Sequence, residues 1–158
     1  VVLDGAAITL TSDIAEIGVA RRYRVGPVRR DVGDPTMAEF VTGASAAALV
    51  PLAPVRPKAL RSSAGIALSW IRRTRLDGDS WEIAEVPVSE DGERYEISVL
   101  SSGAPVRTVA TTQPSWLYPA AQEIADFGAV QGDIDLVIAQ MSAVVGRGRE
   151  WRGRIAVR

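Results

Sequence analysis

Asp77, Asp79 and Glu82 stand in the run LDGDSWE, and an Asp-x-Asp spacing of this kind can open a calcium loop. Calcium takes about six to eight oxygen ligands, and the other positions of a calcium-binding loop are missing here. Asp and Gly are equally what a tight turn needs, and the turn is the better reading; no metal is expected. The carboxylates Glu82, Glu85, Glu90, Asp91, Glu93 and Glu96 could in principle supply an acid–base pair of the glycosidase kind. Nothing in their spacing singles out two of them, and a solvated acidic face accounts for the run. The chain has no His and no Cys. Imidazole catalysis, thiolate nucleophiles, His–Cys metal sites and disulfides are thereby removed together. No catalytic residue and no cofactor are expected.

Arg72, Arg73 and Arg75 follow Trp70 closely, and Arg147 and Arg149 lie in a later GRGR run. Guanidinium groups beside an aromatic ring could hold a phosphate or an acidic sugar. The formal net charge is −1, however, so pairing with the acidic run Glu82 to Glu96, or across a subunit interface, is the favoured reading. The GRGR run lacks the lysine and the strand–loop–helix setting of a phosphate cradle. Four tryptophans invite a carbohydrate-platform reading. Trp70 and Trp151 sit at strand spacing and are expected in the core, with Tyr95. Trp116, between Pro114 and Pro119, is expected to be exposed or at an interface, with Tyr118 beside it.

The elements that must carry these residues read as strands. Ile66, Leu68 and Trp70 share one face, and Tyr95, Ile97 and Val99 share another against Glu96 and Ser98. Val55 to Leu60, Trp81 to Val88 (an edge strand), Val106 to Ala110, Trp116 to Tyr118 and Ile134 to Ala143 are further candidates. The GRGR run is read as a turn before a last strand through Trp151, Ile155 and Val157. One helix is predicted after Pro119, ending at Gly128, with Ala121, Ile124 and Phe127, and Ala120 also, sharing one face. Strands at this spacing with turn signals between them predict an all-β sandwich over residues 51–158, whose strand Ile66 to Ile71 centres on a buried Trp70.

Residues 1–50 read differently. Short strands at Val1 to Leu3 and Ala7 to Thr11, a helical turn over Ser12 to Gly18, and strands at Val19 to Val25, Phe40-Val41 and Ala48 to Leu52 make a small β-rich segment. Its only aromatics are Tyr23 and Phe40, too little for an independent core, so neighbouring parts are expected to complete it. The run PLAPVRP marks the boundary. Arginine outnumbers lysine seventeen to one and Asn is absent, which points to coding bias rather than to a basic surface. A nucleic-acid reader is therefore not expected. No apolar run reaches membrane-spanning length. The chain opens VVLDGAAITL, straight into a strand pattern without Met, and is expected to be a piece of a longer polypeptide.

GIALSWIRR after a Pro-rich lead resembles the second strand of fibronectin type III modules, and DLVIAQMSAVVGRG resembles their penultimate strand and its following loop. The stretch from PLAPVRP to YEISVL, with LYPAAQEIADFG and AQMSAVVGRG, is similar to the C-terminal part of alphaproteobacterial phage tail-tip proteins. These include the baseplate hub ("megatron") of gene transfer agents. The motif W-x-R-R-x-R…D-x-W…E-x-Y carries the likeness, which spans Leu52 to Val157 and is looser over residues 1–50. The chain departs from the module pattern where a penultimate-strand tyrosine is usual; here the place is apolar, near Leu136 or Val137. The resemblance implies a fibronectin type III-like β-sandwich in a structural, non-enzymatic part. Its setting would be a homotrimeric tail-tip hub among other tail and baseplate proteins, in a virion-like particle assembled in the bacterial cytoplasm and active in host contact and DNA delivery. The alternative is a receptor- or glycan-binding module that uses Trp116, Tyr118, Arg72, Arg73 and Arg75 on the host envelope.

Overall fold

The computed structural model describes residues 13–27, 29–76 and 87–158. The chain divides into two compact units, Val1–Ala48 and Leu49–Arg158. In the first, a 3-10 turn at Ile14–Glu16 is capped by Asp13, whose carboxylate accepts from the Ala15 N–H at 3.0 Å. Strands β1 (Ala20–Val25) and β2 (Ala38–Gly43) pair antiparallel with Tyr23 opposite Phe40. Their rings stack at 5.6 Å, while Glu39 on the other face takes Arg22 and Arg24 at 3.2 and 2.8 Å. No described residue of this unit is buried, and Phe40 remains 47% exposed. The strand expected at Ala48 to Leu52 is instead a 3-10 turn over Ala46–Leu49, since a run of alanines favours helical backbone. The strands expected before residue 12 lie outside the described residues.

The second unit is a two-sheet antiparallel sandwich. Its elements are β3 (Val55–Ser62), β4 (Gly65–Ile71), β5 (Tyr95–Ser101), β6 (Ala104–Thr111), β7 (Ser115–Pro119), α1 (Ala120–Phe127), β8 (Asp133–Ser142) and β9 (Gly146–Ala156). Among the described residues one sheet runs β3-β4-β7 and the other β6-β5-β8-β9, the three-plus-four arrangement of a fibronectin type III-like β-sandwich. The fold is all-β, with one short α-helix among the described residues. Ile66, Leu68 and Trp70 of β4 face Tyr95, Ile97 and Val99 of β5 and Ile134, Leu136 and Ile138 of β8. Alternation produces this directly: from Ile66 onward every second residue of β4 is buried and the residues between are exposed. Trp70 meets the edge of Tyr95 at 5.2 Å. Gly65 opens β4 at φ 138°, where any Cβ would collide with the Tyr118 carbonyl.

Three expectations need correction. Trp151 is half-buried and packs against the rim of the core rather than inside it, because β9 is the edge strand of its sheet. The GRGR run starts β9; the turn before it is Ala143 to Val145, held by the Ser142 hydroxyl accepting from the Val144 N–H at 3.2 Å. Pro87 and Val88 carry no strand, and residues 81–86 of the expected edge strand lie outside the described residues.

The outer edge of β9 is covered by the start of the same unit. The Arg149 N–H donates to the Pro51 carbonyl at 2.9 Å. Farther along, Ala59 bridges Val157 in parallel, the Arg158 N–H donates to the Ala59 carbonyl at 3.1 Å, and the Arg61 N–H donates to the Arg158 carbonyl at 2.6 Å. Gly148 permits the approach, since a Cβ there would lie 2.7 Å from the Pro51 Cβ and 2.6 Å from the Gln140 carbonyl. Covering an edge in this way removes a template for unwanted strand pairing.

Candidate functional site

The arginines after β4 are drawn into the acidic segment before β5. Arg75 pairs with Glu90 at 2.6 Å and also donates to the Ser89 carbonyl; the two side chains are only 14% and 5% exposed. Arg72 lies 3.9 Å from Glu93 and donates to the Pro87 carbonyl, while the Tyr95 hydroxyl donates to Glu93 at 2.5 Å. Burial, and then the bond to Glu93, pushes the Tyr95 phenol pKa upward, so the phenol stays protonated as a donor. Arg75 is thus no exposed ligand-binding residue, and Glu90 is no part of a solvated face. Both corrections have one cause: a buried charge needs a partner, and these two supply each other. Arg73 is exposed. Asp77, Asp79, Trp81, Glu82 and Glu85 lie outside the described residues. Among the described residues no group of three or more acids is placed to hold a metal. No described helix is long and apolar enough to cross a membrane.

The aromatic pair of β7 is also spent internally. Tyr118 is fully buried, and its hydroxyl donates to Asp126 at 2.7 Å. Trp116 is half-buried and stacks on the Tyr118 ring at 5.1 Å. Tyr118 is therefore a core residue and not a host-facing one. Strand alternation places positions 116 and 118 on the inner face of the sheet, and the exposed side chain between them is Leu117.

The densest polar cluster lies on α1, and the sequence reading missed it. Glu123 is fully buried. It accepts from both Nη atoms of Arg61, at 2.5 and 3.0 Å, and from the Gln131 N–H at 2.7 Å. One turn on, Asp126 accepts from Arg107 at 2.6 and 2.9 Å and from Tyr118. Arg61 belongs to β3 and Arg107 to β6, one in each sheet. Two acids at i and i+3 thus rivet the helix to both layers. The apolar face read from Ala121, Ile124 and Phe127 is therefore not the buried one. Ile124 is 44% exposed and Ala121 is exposed, whereas Glu123 faces in with Phe127 half-buried behind it. Acids spaced i, i+3 between Pro119 and Gly128, on a helix with few large apolar residues, were the available signal.

These pairs are buttresses. They offer no substrate an open carboxylate. Arg61 holds the Glu123 carboxyl below its ordinary pKa, and Arg107 does the same for Asp126. For carboxylates depressed on folding, the linked stability is complete above their unfolded values of about 4 and is lost as pH falls through the lowered folded values. The urea midpoint of the second unit should therefore hold steady from pH 7 to about 5 and fall on further acidification. Glu123→Gln should flatten that fall, which unfolding curves taken at steps of pH will check.

A groove of about 670 Å³ crosses the end of the four-stranded sheet over Ala110, Thr111, Met141 and Ser142. Its charged walls are engaged, Arg94 with Asp91 and Glu96 with Arg147, so it presents no converging reactive groups.

No protein-family model matches the chain, and no curated protein matches it. Among solved structures the chain is similar to domains d3–d4 of the rat CD45 extracellular region. The likeness has 12% identity and a TM-score of 0.47, covering 98% of this chain and 72% of that one.

Proposed function

We propose that this chain is a non-enzymatic structural module of a phage-like tail-tip or baseplate hub, one that takes part in host contact and DNA delivery. In this reading it sits among other tail and baseplate proteins as part of a homotrimer, within a virion-like particle assembled in the bacterial cytoplasm. The sequence resemblance over Leu52 to Val157 supplies the setting. The observation that supports a structural role is the internal use of the charged and aromatic groups: Arg75, Arg72, Tyr118, Arg61 and Arg107 all bond within the second unit. A surface built to bind a ligand would leave such groups facing outward. The first unit adds to this, since none of its described residues is buried. Packing against neighbours in an assembly would supply the missing burial.

The alternative, a receptor- or glycan-binding module, loses Tyr118 to the core and Arg72 and Arg75 to internal bonds, and keeps Arg73 and part of Trp116 at the surface. Immunogold labelling with antibodies to the second unit tests the proposal. Label is expected at the tail tip of purified particles. Particles that carry no label, from cells that contain the protein, would overturn the reading.

A further inference from the structure

We propose that the seam between β3 and β9 receives an extended, acidic segment of another protein, which adds as a strand to the open edge of β9. The inference stands apart from the hub reading, since it rests on charge and backbone geometry within the second unit. β3 and β9 are each the edge of their own sheet. They touch at two points, Arg149 with Pro51, and Val157 and Arg158 with Ala59 and Arg61. Between those points the pairing is interrupted, with a register shift between Val55 and Lys58 and Arg56 held at φ 51°. Over residues 150–156, β9 therefore has β8 on one side and no described strand on the other. Unlike β3, with Pro57, this stretch has no proline. Its free side keeps the alternating N–H and C=O groups that an added strand pairs with.

Around the seam stand cations that the unit does not spend on itself. Lys58 and Arg158 line a groove of about 500 Å³ with Pro57, Leu60, Ile155 and Ala156. Arg56 and Arg149 belong to the same two strands, and all four cations are exposed with no acid partner among the described residues. Most other arginines of the unit hold an acid, Arg61 with Glu123, Arg107 with Asp126 and Arg154 with Asp135 among them. Neither strand supplies the missing charge. Residues 51–62 contain no acid, and Glu150 of β9 lies 3.4 Å from Arg147. The floor is apolar: Leu60 is 55% exposed, and the half-buried Trp151 lies so close along β9 that a Cβ on Gly153 would meet its ring at 3.0 Å. Carboxylates on the incoming segment complement the cations, its apolar side chains cover Leu60 and Ile155, and its backbone completes β9. A phosphate or sulfate polymer would answer the charge alone.

The test titrates a synthetic peptide that alternates Glu and Val into the isotopically labelled full chain and follows the backbone amides by NMR. The peptide should bind, with its largest amide shifts at residues 151–155. Two backbone-methylated forms, one methylated at every Glu and one at every Val, keep the charge and each lose one set of N–H donors. One of the two should bind roughly tenfold more weakly or worse. Lys58→Glu combined with Arg158→Glu should also weaken binding roughly tenfold or more, with the fold checked by circular dichroism, whereas Lys58→Arg should retain it. An oligothymidylate of equal charge should bind more weakly than the peptide. No binding at millimolar peptide would overturn the proposal, as would shifts that fall away from β9. So would methylated forms that both bind like the parent peptide, charge reversal without effect, or an oligothymidylate that binds as tightly at the same residues. If the double variant fails to fold, the comparison of peptides on the parent chain decides alone.

Discussion

Trp70→Ala is expected to remove a large share of the stability of the second unit. The side chain is 5% exposed and sits between β5 and the partner strands of β4, edge-on to Tyr95 at 5.2 Å. Removing a buried aromatic costs ~3–5 kcal/mol, from lost transfer energy and the cavity left behind. A domain of this size has ~5–15 kcal/mol in total, so the loss takes a large share. The cavity has little chance to collapse, because the neighbours Tyr95, Ile97 and Leu68 are fixed by strand registers on both sides. Trp70→Phe should lose less, since it keeps the aromatic contact. Urea unfolding followed by tryptophan fluorescence and circular dichroism will measure both; an alanine variant as stable as the parent would contradict the described core.

The second large effect belongs to the pair under α1, and it should be asymmetric. Arg61→Leu leaves Glu123, with no solvent exposure, holding only the Gln131 N–H. Stranding a buried charge costs ~3 kcal/mol or more, and protonation of the carboxyl offsets part of it. Glu123→Leu leaves Arg61, whose side chain is 30% exposed and can turn toward water, so it should cost clearly less. The double replacement should recover most of the loss, because a well-packed apolar pair often matches a buried ion pair. A double-mutant cycle should therefore show a coupling of ~1–3 kcal/mol. Equal single effects, or no coupling, would mean the helix is held by packing and not by its rivets.

What the sequence disclosed and what it concealed divide along sequence distance. Ile66, Leu68 and Trp70 announce their face by local alternation, as do Tyr95, Ile97 and Val99, and the sandwich follows once two such faces must meet. Pro119 and Gly128 likewise mark both ends of α1 from within the segment. The inner face of that helix was not legible. An acid on a short helix reads as solvated unless its cation is known, and Arg61 lies 62 residues from Glu123. The same limit hid the burial of Glu90, whose partner Arg75 is 15 residues back in the chain. Tyr118 was misread for a different reason. Flanking prolines suggested an exposed aromatic, yet strand parity turns it inward, where its hydroxyl finds Asp126. Gly148 gave no sign of its role, since the proline it accommodates belongs to the far end of the unit.

The bond between the first and last strands of the unit also sets a timetable for synthesis. Ala59 is translated nearly a hundred residues before Val157, its partner. At ~5–20 residues per second, β3 waits ~5–20 s on the ribosome for the strand that covers its edge. The hairpins β3–β4 and β5–β6 can form in microseconds from local sequence, whereas β8 and β9 arrive last and complete both the core and the edge. During that interval the nascent chain carries Ile66, Leu68 and Trp70 without the residues of β8 that cover them. That row stays open until β8 emerges, and the edge of β3 stays open until Val157 and Arg158 follow.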